Sequence, residues 1–140
     1  MAGMEALGRL VDIVPIAAGQ AFKTRGATGF LVVCTGADTF TVTVGNSFGS
    51  VSTNPGTIIN HFYQRADTNG THAWTRQTQA ASNAVVQANA GYTTAFEVLS
   101  AMIEGYTYMK VAVGGSGLVI ALPHDLTVQR TPANLEILGA

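Results

Sequence analysis

FLVVCTGADTFTVTV, residues 30–44, decides the fold class of this chain. FLVVC is a continuous apolar run. TFTVTV alternates, so that an extended strand sets Phe40, Val42 and Val44 on one face and Thr39, Thr41 and Thr43 on the other. Threonine suits the outer face of a pleated sheet. The period is two and not 3.6, and from residue 30 onward the chain reads as sheet.

Working outward, the Gly/Ser/Asn-rich stretch GNSFGSVSTNPG (45–56) reads as a surface loop. TIINHFYQRADTNGTHAWTRQTQ (57–79) predicts a hairpin, with β-rich flanks around Asn69-Gly70, a dipeptide that tolerates the positive φ angles of a type I′ turn. A second hairpin is expected in YTYMKVAVGGSGLVIAL (106–122). There Met109, Val111 and Val113 alternate, Gly114 to Gly117 turn the chain, and Leu118, Ile120 and Leu122 return. TAFEVLSAMIEG (94–105) predicts one short α-helix. Thr94 and Glu97 have capping-box spacing, Phe96, Leu99 and Ile103 recur at helical intervals, and Gly105 suits the left-handed position after a helix. One helix among six to eight strands predicts a mainly β fold, an antiparallel β-sandwich with extended N- and C-terminal arms.

The division expected is an N-terminal arm or short helix over 1–22, a sandwich domain over 23–122 and an extended arm over 123–140. Residues 1–14 place Met4, Leu7 and Val11 on one helical face, weakened by Gly3 and Gly8 and closed by Pro15. After residue 122 the apolar residues Leu126, Val128, Leu135, Ile137 and Leu138 continue. Pro123 and Pro132 bar a single helix from covering them. Such a tail satisfies its backbone by adding to a sheet edge or lying in a groove of a neighbour.

Composition points the same way. Of 140 residues, 47% are apolar and only 11% are charged, with a net charge of −1; soluble domains usually carry roughly 25% charged residues. A skin so poor in charge implies that other protein covers much of it. The seven basic residues are scattered, which argues against nucleic acid as a partner. No apolar run is long enough for a membrane span. The N-terminus carries Glu5, Arg9 and Asp12 where a signal peptide needs an unbroken apolar run, so the expectation is an unprocessed protein made in the cytoplasm. Cys34, the single cysteine, reads as a small core residue.

Nothing in the sequence argues for an enzyme. His61 and His72 flank the first hairpin without a further ligand at a metal-binding spacing. His124 and Asp125 are adjacent, which puts them on opposite sides of an extended chain and argues against a dyad. Gly114-Gly115-Ser116-Gly117 lacks the spacing of a nucleophile elbow or a phosphate loop and reads as a turn. The expectation is therefore no catalytic, cofactor-binding or metal residues, no cofactor and no small-molecule substrate. Tyr63, Trp74, Tyr92, Tyr106 and Tyr108, with Asn60, Gln64, Arg65 and Arg76, leave a sugar-binding face as an alternative to core and interface packing.

HFYQRADTNGTHAWTRQTQAAS (61–82) and EGYTYMKVAVGGSGLVIALPHDLTVQRTPANLEIL (104–138) resemble the small head decoration proteins, also called minor capsid or cement proteins, of tailed double-stranded DNA phages of actinobacteria. The likeness runs over residues 57–138 and is most distinctive in the ending, His124 to Arg130 and Pro132 to Leu135. It implies a structural protein on the outer capsid surface of the virion. Its partners would be the major capsid protein and copies of itself, a trimer being one arrangement open to it. The interface residues expected are Tyr63, Trp74, Leu126, Val128, Leu135, Ile137 and Leu138, with Leu7, Leu10 and Val11 on a second arm. The alternatives are a glycan- or receptor-binding module of a phage particle and a tail-tube subunit.

Overall fold

The computed structural model describes residues 12–16 and 19–127. Ten strands occur among them: β1 (Val14–Ile16), β2 (Ala21–Lys23), β3 (Gly29–Thr35), β4 (Asp38–Gly45), β5 (Ile59–Arg65), β6 (Thr75–Ser82), β7 (Ala84–Gln87), β8 (Thr93–Leu99), β9 (Tyr108–Val113) and β10 (Leu118–His124). They form two antiparallel sheets, six-stranded in the order β1-β10-β3-β8-β5-β6 and four-stranded in the order β2-β9-β4-β7. The mainly β class expected from residues 30–44 is what the chain adopts.

The two inner faces share one core. Phe30, Val32 and Cys34 of β3, Phe96 and Val98 of β8, and Val119 and Ala121 of β10 meet Phe22, Phe40, Val42, Val44, Met109 and Val111 of the other sheet. Phe22 and Phe30 join the layers with ring centroids 5.8 Å apart. Burial pushes the Cys34 thiol far above its ordinary pKa, so it behaves as a small apolar residue. At one end of the sandwich the buried Gln87 amide donates to Gly36 O (2.8 Å) and Tyr92 O (2.9 Å), and its oxygen accepts from the Thr94 hydroxyl. That network ties β7 to β8 across the layers with no polar atom of Gln87 left unpaired.

Four local expectations change. Residues 94–105 are not an α-helix: Thr93–Leu99 is β8, and only Ser100–Ile103 turns, as one 3-10 turn followed by Gly105 at φ +91°. Thr94, Phe96 and Val98 point inward and Ala95, Glu97 and Leu99 outward, so a period of two overrides the Phe96–Leu99–Ile103 spacing. The extended form pairs with β3 along its whole length and also with β5, and no helix could make either ladder.

Residues 106–122 are not a hairpin, because β9 belongs to the four-stranded sheet and β10 to the six-stranded one. The Gly114 to Gly117 turn is an arch between layers. It is held by the Asp38 carboxylate, which accepts from the amides of Gly114 (3.0 Å), Gly115 (2.8 Å) and Gly117 (3.0 Å). Residues 57–79 do pair as a hairpin, but through a long loop and not a two-residue type I′ turn: Gly70 has φ +85° while Asn69 keeps a negative φ. Finally, the sheets extend beyond 23–122 at both ends. β1 and β2 lie within the first stretch, and β10 runs through buried Pro123 to His124. The Thr127 amide donates to Gly26 O (2.9 Å), and Leu126 packs half-buried against the core.

Candidate functional site

The feature of this fold that asks for a partner is the outer face of the six-stranded sheet. Strand register lines up Pro15, Ile120, Val33, Ala95, Tyr63 and Arg76 in one row across β1, β10, β3, β8, β5 and β6. The adjacent row holds Leu122, Leu31 and Glu97. Leu118 (64% exposed), Ile120 (43%), Leu31 (38%) and Ile13 (45%) stand on this face in water. A single exposed leucine is ordinary; a contiguous apolar sheet face is the signature of an interaction surface.

The face is not flat. Between β3, β5, β8 and the 3-10 turn lies a groove of about 290 Å³, with Leu31, Ile58, Leu99 and Met102 on its apolar walls and His61, Tyr63 and Glu97 at its polar side. His61 packs edge-on against Tyr63, centroids 6.1 Å apart, and its Nδ1 lies 2.7 Å from Asn60 Oδ1. Tyr63, 43% exposed, thus sits on the apolar face.

At the border stands an arrangement the sequence argued against. His124 Nδ1 is 2.8 Å from Asp125 Oδ2 and its Nε2 is 2.9 Å from Glu97 Oε1. The alternation rule fails here because Asp125 has φ +50°, which ends the extended run and swings its carboxylate back to the ring. Gly29 leaves room for that ring: a Cβ there would come within 2.6 Å of it. This carboxylate–imidazole–carboxylate set links β10 to β8 across β3, and the Thr28 hydroxyl donates to Asp125 O (2.9 Å) next to it.

Trp74 lies at the end of the β5–β6 loop, 45% exposed, with the Arg65 guanidinium 5.1 Å from its ring centroid. Asp67 organises that loop, its carboxylate accepting from Thr71 Oγ1 (2.8 Å), the Gly70 amide (3.3 Å) and the His72 amide and facing His72 Nδ1 (2.7 Å) and Arg65 Nε (3.1 Å). Partial burial raises the Asp67 pKa, but the Thr71 hydroxyl, the His72 ring and amide and the Gly70 amide outweigh it and hold the carboxyl well below the usual range. Asp38 shows the same balance, desolvation being overcome by the amides of Gly117, Thr39, Gly115 and Gly114. The anion that the Gly-rich turn binds is the chain's own.

Of the residues named for the sugar-binding alternative, Gln64, Arg65 and Tyr92 line one open depression, and Asn60 and Tyr63 line the groove on the apolar face. Arg65 stands over the Trp74 ring, Gln64 donates to Thr94 Oγ1 (3.3 Å), Tyr106 packs against the core, and Tyr108 pairs with Phe48 in the region of the four-stranded sheet. Among the described residues no group of three His, Cys, Asp or Glu could hold a metal ion, and no helix is long and apolar enough to cross a membrane. Of the expected interface residues, Tyr63 and Trp74 are exposed and Leu126 is half-buried. Leu7, Leu10, Val11, Val128, Leu135, Ile137 and Leu138 lie outside the described residues. The sequence reading missed Leu31, Leu118 and Ile120 as surface residues, since continuous apolar runs read as strands buried on both sides. No protein-family model matches this chain, and no curated protein or solved structure is significantly similar to it.

Proposed function

We propose that this protein is a structural capsid decoration protein of a tailed phage, set on the outer surface of the virion, where it bridges major capsid subunits and copies of itself. The observation that carries the reading is the apolar outer face of the six-stranded sheet, with Leu31, Leu118, Ile120 and Tyr63 exposed on a chain that is only 11% charged. A shell-bound protein keeps such a face covered by its neighbour. The likeness of residues 57–138 to decoration proteins gives the class of partner. Leu7, Leu10, Val11, Val128, Leu135, Ile137 and Leu138, which lie outside the described residues, supply further contacts to adjacent subunits in this reading. Several weak footholds then add through high effective concentration.

The test is uptake by particles assembled without the protein. The purified chain is expected to co-sediment with them saturably, and Ile120→Glu to abolish uptake while melting as the wild type does. Equal uptake by Ile120→Glu would overturn the role of this face. No uptake by the wild type, with binding on a glycan array or self-assembly into tubes instead, would replace the whole reading by one of its alternatives.

A further inference from the structure

β6 raises a separate question. It is the last strand of the six-stranded sheet, hydrogen-bonded to β5 alone, and no residue from Thr75 to Ser82 is buried. Its residues are exposed except for half-buried Gln79 and Ser82, and among the described residues no strand pairs with its second backbone edge. Natural edge strands are protected by lysine, proline, shortness or a cover, because unpaired amides and carbonyls recruit other strands. This strand has eight residues, no proline, no lysine and one charge, Arg76. The irregular pairing near Ile59 is closed by the Gln79 amide, which donates to Ile59 O (3.0 Å) and Ala84 O (2.9 Å) and keeps the strand extended there.

We infer that β6 pairs antiparallel with β6 of a second copy, about a two-fold axis through Thr78 and perpendicular to the sheet. A two-fold axis of this kind must pass through a residue pair, because facing residues have to point to the same side of the sheet. Centred on Thr78, the register sets Thr78 against Thr78, Gln77 against Gln79 and Arg76 against Ala80 of the partner. A Thr–Thr pair is a favourable cross-strand neighbour, and the one charge meets a small neutral residue at both symmetry-related places. Trp74 comes opposite the partner's Ser82 at each end, where a half-exposed indole gains a second surface. The axis also keeps both outer faces on the same side, so the twelve-stranded sheet offers one doubled apolar platform. The inference rests on the self-association part of the proposed function and not on the capsid.

Sedimentation of the full chain without particles tests it. The wild type is expected to dimerise. Ala80→Glu, which sets a carboxylate against Arg76 of the partner twice, is expected to tighten the dimer about five-fold, and Ala80→Arg to weaken it about five-fold. Ala80 is exposed, so both variants should melt as the wild type does. A strictly monomeric or trimeric wild type, or two variants with the same dissociation constant, would overturn the β6 interface. Loss of particle uptake with this pattern intact would instead remove the capsid reading and leave the dimer standing.

Discussion

The two sheets of this sandwich have opposite exteriors. The four-stranded sheet turns Thr39, Thr41, Thr43 and Lys110 outward, with exposed Val86 and the Phe48–Tyr108 ring pair as its apolar exceptions, whereas the six-stranded sheet turns out Leu31, Val33, Leu118, Ile120 and Leu122. Both sheets bury Phe and Val inside. The difference is therefore not a demand of the fold. A sheet needs one apolar face to build its core, and under the proposed function the second is covered by a neighbouring subunit.

The strongest way to break the comparison is at the shared core. Phe96→Ala removes a 2%-exposed ring from β8, and thermal unfolding should show a loss of about 3–5 kcal/mol. A similar loss from the outward Leu31→Ala would mean that the two faces of β3 are equally buried. Gly29→Ala probes the border of the apolar face, where the new methyl meets the His124 ring; about 1–3 kcal/mol is expected from overpacking. The added change His124→Ala should recover part of that loss in denaturant unfolding.

Asp67 gives a pH-dependent effect at the capped end of the same face, where its carbonyl accepts from the Thr93 hydroxyl at 2.7 Å. Its folded pKa lies below the unfolded value, so its stabilisation is present in full above about pH 4 and fades as pH falls toward the folded value. The stability gap between wild type and Asp67→Asn, measured by urea unfolding, should therefore narrow on acidification and not on alkalinisation. The smallest effects on folding sharpen the comparison most. Ile120→Thr and Thr41→Val exchange the character of the two exteriors, and each should change stability by no more than about 1 kcal/mol. In the particle-uptake assay only Ile120→Thr should lower occupancy.

Much of this architecture was legible and much of it was not. The alternation of Phe40, Val42 and Val44 with threonines reads correctly because only one of its faces is apolar. Residues 118–122 are apolar at every position, so the choice of Val119 and Ala121 as inner residues, leaving Leu118 and Ile120 outside, was open. Residues 94–99 carry both a helical and a strand spacing, and pairing with β3 and β5 settles it. Tyr63 and Trp74, singled out in the sequence as large side chains, are both exposed. The His124–Asp125 contact was not legible, since one positive φ undoes the alternation on which the reading relied.

By itself the sequence determined that this chain makes sheet, carries no recognisable catalytic or metal-binding motif and is short of charge, because periodicity and composition are local properties. Only the tertiary structure decided which sheet each strand joins and which side of it faces inward. Those choices depend on side chains far apart in sequence competing for one interior, and a strand apolar on both sides does not encode the outcome.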